Sequence, residues 1–461
     1  MSTYSYAVSL ARTSSVISYG LIFLLIMPLL NIPLTATGQE EPPNNPFRIP
    51  EDDNPPTIRD SGLKLETVTD GLMRPVAMSF IGPDDILVLE KDNGTVRRVV
   101  DGELQEEPVL DVAVANDNDT NERGLLGMAV AKPYVFLYYT ESGGGQDGDD
   151  AKGVVPAGNR LYRYELVERD DGRTVKLVNP KLLLDLPARP GPRYNAGPIL
   201  VSQPNGPGGQ MSVYLKIGDL DHHKSQAENY KNGPPPDGTG GILRVDIDGN
   251  PMANSSLMSG SSGQNVGMLP YYFAYGIRNG FGMDFDPVTG NIWDTENGPN
   301  NYDEINLVQT GFNSGWAKIQ GPSTEQANSG VDINKDLEYF GGKGIYRDPE
   351  FSWNYTVGVT ALKFLNSNKL GDHYENDIFV GDINNGRIYH FDLNEARTGL
   401  MLDGVLADKV AHNVGELDKV IFGTGFRSIS DIEVGPDGYL YILTYGPGKI
   451  FRIVPEDADS Q

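Results

Sequence analysis

Residues 271–316, YYFAYGIRNGFGMDFDPVTGNIWDTENGPNNYDEINLVQTGFNSGW, show how this 461-residue chain is built. Apolar and polar residues alternate over residues 282–286, and a second strand-like run covers residues 291–295. The turn Pro-Val-Thr-Gly separates the two runs. Alternation with a period of two is typical of β-strands, and Pro and Gly mark the turns between strands. The stretch therefore predicts a β-hairpin.

The same strand order recurs six times between residues 63 and 455. Each unit has a short apolar strand, a turn, an aromatic-rich strand and a third strand of the type Gly, apolar, aromatic, Arg. The units cover residues 77–99, 125–164, 198–245, 271–308, 359–391 and 429–453. Repeats of a few strands that close into a ring form a β-propeller. The sequence predicts an all-β fold, a six-bladed β-propeller over residues 61–456, with four antiparallel strands in each blade.

The composition excludes several classes of partner. The formal net charge is −26, and such a surface repels nucleic acid and anionic lipid. The chain has no cysteine, which excludes disulfides, cysteine metal sites and cysteine nucleophiles.

The N-terminal part has the composition of a targeting segment. Residues 16–34 are largely apolar and are followed by small residues, so residues 1–38 are interpreted as a secretory signal peptide or an uncleaved signal-anchor. Residues 39–60 are rich in proline and acidic residues and are expected to form an extended linker outside the core. We therefore expect an extracytoplasmic protein, secreted or anchored to the outer face of a membrane only through this segment.

Two short motifs in the quoted stretch are candidates for a binding site. Arg278 and Asn279 lie between glycines, where a ligand can approach the backbone closely. Gly298 and Pro299 lie beside carboxylates and amides, and such an oxygen-rich turn suits Ca²⁺. The alternative interpretation is a propeller hairpin whose turns are structural only.

The stretch resembles the matching segment of the soluble quinoprotein sugar dehydrogenases, the glucose/sorbosone dehydrogenase family. Residues 121–127 (NERGLLG), 216–219 (KIGD) and 435–441 (GPDGYLY) look like the family's motifs in its second, third and last blades. The resemblance implies that Arg278 and Asn279 contact pyrroloquinoline quinone (PQQ). It also implies that the carbonyl groups of Gly298 and Pro299 hold calcium. Within the matching motifs, Glu122 and Asp219 are the further candidates for cofactor binding.

The family's proton acceptor is a histidine, and this chain departs from the family at that position. In the corresponding segment, residues 191–198, the matching residue is Tyr194. A tyrosine with an ordinary pKa of about 10 is a weak base at neutral pH, so either Arg193 activates Tyr194 or Tyr194 only packs. His222 and His223, which follow Asp219, are the other candidates for a base or for a metal site.

Several cations of the family are also replaced. Ser428 and Ser430 stand where the family has two arginines, and Asn384 stands where a lysine is common; Arg427 is the substitute candidate. Fewer cations weaken the binding of an anionic quinone.

The resemblance implies an exported PQQ- and calcium-dependent oxidoreductase that oxidises an aldose sugar or related alcohol and passes electrons to an external acceptor. A second hypothesis is a non-catalytic surface propeller that binds carbohydrate or protein, which Tyr194, Ser428 and Ser430 favour. A third is a calcium-dependent propeller hydrolase or lactonase.

Overall fold

The structure is a computed structural model that describes residues 45–48, 54–116, 122–168, 174–202, 210–221, 223–252, 257 and 267–457. These residues all belong to one compact unit, Leu34–Gln461. Among them there is no helix with the length and apolar character needed to cross a membrane.

Most of the described chain is β-structure. The strands are β1 (Thr57–Ile58), β2 (Leu63–Thr69), β3 (Pro75–Gly82), β4 (Asp85–Glu90), β5 (Thr95–Val100), β6 (Glu103–Leu104), β7 (Leu110–Asp111), β8 (Leu125–Ala131), β9 (Tyr134–Glu141), β10 (Gly158–Glu168), β11 (Val175–Leu186), β12 (Ile199–Ser202), β13 (Ser212–Ile217), β14 (Gly241–Asp246) and β15 (Tyr272–Tyr275). They continue with β16 (Gly282–Phe285), β17 (Ile292–Glu296), β18 (Asp303–Val308), β19 (Phe312–Asn313), β20 (Ile345–Tyr346), β21 (Phe351–Trp353), β22 (Val359–Phe364), β23 (Ile378–Asp382), β24 (Ile388–Phe391), β25 (Val410–Ala411), β26 (Ile421–Thr424), β27 (Ile429–Val434), β28 (Leu440–Thr444) and β29 (Lys449–Pro455).

Helices in the described residues are short. The α-helix is α1 (Ile333–Asp336). The 3₁₀ turns are Asp150–Lys152, Gln226–Glu228, Leu269–Tyr271, Gln326–Asn328, Asp372–Tyr374, Gly404–Leu406 and Val414–Lys419. This agrees with a sequence that shows strand periodicity and no amphipathic helix in the same region.

The strands form six sheets, which we number by the position of their first inner strand in the chain. Sheet 1 is β3-β4-β5-β6 with β7 also paired to β5, sheet 2 is β8-β9-β10-β11, sheet 3 is β12-β13-β14-β15-β19-β20, sheet 4 is β16-β17-β18-β21-β25, sheet 5 is β22-β23-β24-β26-β1 and sheet 6 is β27-β28-β29-β2. Each predicted unit supplies the first three strands of one sheet.

The inner strands contact one another in cyclic order. β3 contacts β8, and the contacts continue through β12, β16, β22 and β27, which returns to β3. Apolar side chains fill the space between neighbouring sheets; Phe136 of sheet 2, for example, belongs to one cluster with Leu215 and Tyr272 of sheet 3. The all-β, propeller-like prediction is confirmed. In sheet 6 the early strand β2 pairs with the last strand, β29, so both ends of the described ring are held in one sheet.

The expectation of four antiparallel strands in every sheet is wrong. The sheets contain from four to six strands. Three outer pairs, β15 with β19, β19 with β20 and β21 with β25, are parallel. Long connections return to the outer edges and pair with backbone groups that would otherwise be exposed, which is a common way to cover a sheet edge.

The expectation that residues 39–60 lie outside the core does not hold at Phe47. Phe47 is fully buried in the cluster that includes Val357 and Tyr389, and its carbonyl oxygen accepts a hydrogen bond of 2.9 Å from Arg387 Nη2. β1 joins the edge of sheet 5. One phenylalanine in a polar, proline-rich segment gives no periodic pattern, so the sequence does not reveal this anchor. Residues 1–38 lie outside the described part of the chain, and their role as a signal or anchor stays a prediction.

Candidate active site

Glu122, Tyr194 and Asn279 meet at one end of the ring. Each lies just ahead of the inner strand of its sheet, β8, β12 and β16 respectively. The sequence places them far apart, but the start of each inner strand faces the same end of the central channel. Direct hydrogen bonds join the three residues.

Glu122 is the polar centre of this end. Its Oε2 atom accepts hydrogen bonds from Tyr194 N at 2.7 Å, Asn279 Nδ2 at 3.1 Å and Asn195 N at 3.3 Å. Its Oε1 atom is buried and has no hydrogen-bond partner among the described residues. A buried acceptor without a donor is costly, so Oε1 marks a position where a group from outside the chain can bind.

Arg278 links two sides of the site. Its Nη1 atom donates to the carbonyl oxygens of Asn297 at 3.0 Å and Gly298 at 2.9 Å. Its guanidinium carbon lies 3.9 Å from the centre of the Tyr194 ring, which is a cation–π contact. The buried Nε atom has no partner within the described chain. Arg278 is therefore fixed in orientation and still has a donor available for a ligand.

Asp219 is a buried residue that hydrogen-bonds to Trp316 and to the backbone of Arg278. Its carboxylate accepts a hydrogen bond of 2.7 Å from Trp316 Nε1, and its backbone N donates to the carbonyl oxygen of Arg278 at 2.9 Å. The Trp316 ring lies 5.5 Å from the Arg278 guanidinium. Asp219 is fully buried, so it orients the indole and the Arg278 backbone.

The turn at Gly298 and Pro299 belongs to the same site through Arg278. The backbone N of Gly298 donates to Asp303 Oδ1 at 3.0 Å. A Cβ atom at Gly298 would overlap the carbonyl oxygen of Asn301, so the close backbone approach requires glycine. The Gly298 carbonyl oxygen accepts from Arg278 and keeps a second lone pair.

A cavity follows the central channel from Glu122 inward. Its lining includes Glu122, Ala196, Gly282, Thr360 and Ser430, with contributions from the inner strands of all six sheets. Much of the wall is apolar, as is usual for a site that takes a small molecule. The unpaired oxygen of Glu122 is thus on a residue that lines an internal space.

Burial controls the protonation of two carboxyl groups at this end. Burial raises the pKa of Glu122 to about 7, although the charge of Arg278 and the N–H donors lower it. Burial also raises the pKa of Glu296 to about 7, and the charge of Lys216 opposes this. The two groups differ in their contacts: Glu296 accepts from Arg278 N and Ser314 Oγ, each at 2.7 Å, so both its oxygens are paired.

Serine and asparagine leave the positions of the replaced cations uncharged. Ser430 donates a hydrogen bond of 2.8 Å to the carbonyl oxygen of Pro75 and lines the channel. Ser428 Oγ accepts from Gly446 N at 2.8 Å. Arg427 is exposed, and Asn384 is half-buried beside Gly358. No hydrogen bond or ion pair joins Arg427 to Glu122 or Arg278, so its role as a substitute cation stays a prediction.

The structure describes one of the two histidine candidates. His222 lies outside the described residues. His223 Nδ1 lies 2.9 Å from Asp237 Oδ2, and this hydrogen bond raises the pKa of His223 while burial lowers it. His223 Nδ1 is therefore paired with Asp237.

Sequence reasoning missed Trp316 and Glu296. Trp316 ends the quoted stretch and Glu296 ends β17, so both were visible, but nothing in the sequence distinguishes them from core and turn residues. Glu296 meets Arg278 across the β16–β17 hairpin, and Trp316 meets Asp219 where the chain leaves β19 and β13 of sheet 3.

The fold defines a propeller-like β-protein, and the buried polar cluster at the mouth of its channel is its candidate ligand site. The sequence matches the family described as Glucose / Sorbosone dehydrogenase over residues 72–452, and the chain belongs to this family. It is 24% identical over 403 residues to the aldose sugar dehydrogenase of Escherichia coli, covering 86% of this chain and 94% of that protein. It is 26% identical over 452 residues to quinoprotein glucose dehydrogenase B of Acinetobacter calcoaceticus, covering 84% of this chain and 86% of that protein.

A solved structure gives the same fold. The PQQ-bound aldose sugar dehydrogenase of Streptomyces coelicolor matches with a TM-score of 0.57 and 19% identity, covering 86% of this chain and 98% of that chain. At this level of identity the likeness supports the fold alone.

Proposed function

We propose that this protein is an exported, PQQ- and calcium-dependent oxidoreductase that oxidises an aldose sugar or a related alcohol and passes the electrons to an external acceptor. The observation that carries the proposal is the pair of unpartnered buried atoms, Arg278 Nε and Glu122 Oε1, in one site. Family membership and the sugar dehydrogenase names of the relatives support it. We count each of the six sheets as one blade of the ring.

The residues of the site fit the quinone in kind. Arg278 Nε is a buried cationic donor for a carboxylate or a quinone oxygen, and Asn279 adds an amide. Tyr194 and Trp316 supply flat aromatic surfaces near Arg278. When bound, PQQ supplies the acceptor for the hydride that leaves the hydroxyl-bearing carbon of the substrate.

Calcium would use the carbonyl oxygens of Gly298 and Pro299. Carbonyl oxygen is a ligand that Ca²⁺ accepts, and the Gly298 carbonyl has a lone pair left. Its other lone pair accepts from Arg278, so the ion would lie beside a positive charge and would need negative ligand atoms from outside this turn. We therefore expect calcium and the anionic quinone to bind cooperatively.

The chain itself must accept the proton of the substrate hydroxyl. From the sequence, Tyr194 or His222 is expected to be the proton acceptor, with His223 as a third candidate. We propose Glu122 instead, because Glu122 lines the channel, its Oε1 has no hydrogen-bond partner among the described residues and the donors to Oε2 hold the carboxylate in place. A positioned base of this kind contributes typically 10²–10⁴-fold to a reaction rate.

A non-catalytic propeller remains the second candidate, and a specific observation favours it. Ser428 and Ser430 are both engaged in hydrogen bonds to the backbone of sheet 6 or its neighbour, so they leave no charge at positions where the family has arginines. If these arginines are essential for the quinone, the channel would bind carbohydrate or protein without turnover. A calcium-dependent hydrolase stays the third possibility.

Quinone binding tests the proposal directly. We expect the chelator-treated protein to bind PQQ with a changed absorption spectrum when Ca²⁺ is added, and to bind it more weakly with Mg²⁺. The measurement is an equilibrium titration followed by absorbance. If PQQ does not bind in the presence of Ca²⁺ but sugars shift the melting temperature, the non-catalytic hypothesis is favoured and the first proposal is wrong.

Tyr194 gives a second prediction. Its φ is +61°, a conformation that histidine tolerates, so both Tyr194→Phe and Tyr194→His should fold. We expect Tyr194→Phe to keep most of the turnover, since the ring contact with Arg278 remains. We expect Tyr194→His to raise turnover, because an imidazole would add the family's residue next to Glu122.

The readout is kcat and its pH dependence with an artificial acceptor. A large loss of kcat in Tyr194→Phe with unchanged quinone binding would assign the proton to Tyr194, with activity rising toward alkaline pH. A profile that levels off near the ordinary histidine pKa of about 6.5 and is lost in His222→Ala would assign it to His222.

A further inference from the structure

A histidine and two aspartates form a second cluster, at the end of sheet 5 that lies away from the candidate active site. Asp377 lies just before β23, His390 is on β24, and Asp392 follows β24. His390 Nε2 lies 3.0 Å from Asp377 Oδ2 and 3.7 Å from Asp392 Oδ1. One ligand atom from each side chain lies within 4.8 Å of the others.

The two carboxyl groups of the cluster are close together. One oxygen atom of Asp377 and one of Asp392 lie within 4.8 Å of each other. Among the described residues, neither has a lysine or arginine within ion-pair distance. Two carboxylates this close repel each other, and a cation bound between them relieves the repulsion.

We infer that Asp377, His390 and Asp392 bind a divalent transition-metal ion, with zinc as the representative. Zinc accepts both imidazole nitrogen and carboxylate oxygen as ligands, and three protein ligands leave a fourth position for water. Zinc–ligand bonds of about 2.0–2.2 Å place tetrahedral ligand atoms roughly 3.4 Å apart, which is the range of the two measured separations. Calcium and magnesium prefer oxygen ligands alone.

The surroundings hold the histidine ring in a fixed orientation. The ring centre of His390 lies 5.0 Å from those of both Tyr374 and Phe379. His390 can therefore present Nε2 to an ion without a large loss of side-chain entropy.

The position of the cluster indicates a structural role. β22 begins at the end of the ring near Gly358, and it pairs antiparallel with β23 through Phe364 and Ile378. Asp377 therefore lies at the far end from Glu122 and Arg278. A metal ion here would tie the segment before β23 to the end of β24, which stabilises sheet 5 without contact with the proposed active site.

Zinc titration of the untagged, chelator-treated full-length protein tests this inference. We expect one zinc ion per chain by calorimetry and an upward shift of the melting temperature. Asp392→Asn changes an exposed, nearly isosteric side chain and should fold. We expect it, and Asp377→Asn, to lower zinc affinity at least tenfold and to remove most of the melting shift, with unchanged PQQ binding.

Asp408→Asn is the matched control. Asp408 Oδ2 lies 3.8 Å from His412 Nε2 in an exposed histidine–carboxylate pair, and neither residue belongs to the cluster, so this variant should bind zinc like the wild type. Absence of stoichiometric zinc binding by the wild type would overturn the inference. So would zinc affinity that is unchanged in both Asp392→Asn and Asp377→Asn, since the ion would then bind elsewhere.

Discussion

Arg278→Ala is expected to abolish detectable PQQ binding. Arg278 is a buried cation of the site, and its guanidinium joins the Tyr194 ring to the Gly298 turn. Removal of one partner from a buried charge pair costs about 2–5 kcal/mol, or roughly 30-fold to several thousand-fold in affinity. The measurement is the dissociation constant of PQQ in the presence of Ca²⁺.

Arg278→Lys and Arg427→Ala make this experiment specific. Lysine keeps the charge but lacks the planar fork that donates to two carbonyl oxygens while it stacks on a ring, so we expect an intermediate loss. Arg427 is exposed, and surface charges contribute little, so Arg427→Ala should weaken binding only slightly. The assignment of Arg278 fails if Arg278→Ala binds PQQ like the wild type while retaining its melting temperature.

The sequence predicted the strands well because their signal is local. Alternation and turn residues located the three strands of every unit, from β3–β5 to β27–β29. The outer strands were harder, since short pairs such as β19 with β20 depend on where long loops return. The burial of Phe47 depends on a pocket formed by residues more than 300 positions away, which no local pattern encodes.

The sequence predicted which residues belong to the site but not which of them contact one another. Arg278, Asn279 and Gly298 are neighbours in sequence, and β16 and β17 form one hairpin, so their proximity follows from the hairpin. The contacts of Glu122 with Tyr194 and Asn279 join three sheets, and only the ring brings them together. The lack of a partner for Glu122 Oε1 among the described residues follows from those contacts, so no sequence pattern favours Glu122 over Tyr194 as the base.

Glu122→Gln is expected to lower kcat by about 10²–10⁴-fold, the usual contribution of a general base. Glutamine keeps an acceptor oxygen for Tyr194 N and Asn279 Nδ2 but cannot accept a proton at neutral pH. PQQ binding should change far less than turnover. Asp431→Asn is the control, because Asp431 also lines the channel and burial also raises its pKa, but its two oxygens accept from Met78 N and Ile432 N.

The pH dependence separates catalysis from stability. The base acts when it is ionised, so with a pKa of about 7 for Glu122, kcat/KM should rise with pH through about 7 and level off above it. Glu122→Gln should lose this dependence of kcat/KM on pH.

The raised pKa of Glu122 also affects stability. As pH rises, Glu122 loses its proton at a lower pH in the unfolded chain than in the folded protein. The free energy of unfolding therefore falls as pH rises from the ordinary carboxyl range to about 7. Glutamine does not titrate and so avoids this loss of stability. At pH 8 the melting temperature of Glu122→Gln should therefore be no lower than that of the wild type. A wild-type profile that keeps rising toward alkaline pH, or a Glu122→Gln variant with full turnover, would show that another group accepts the proton.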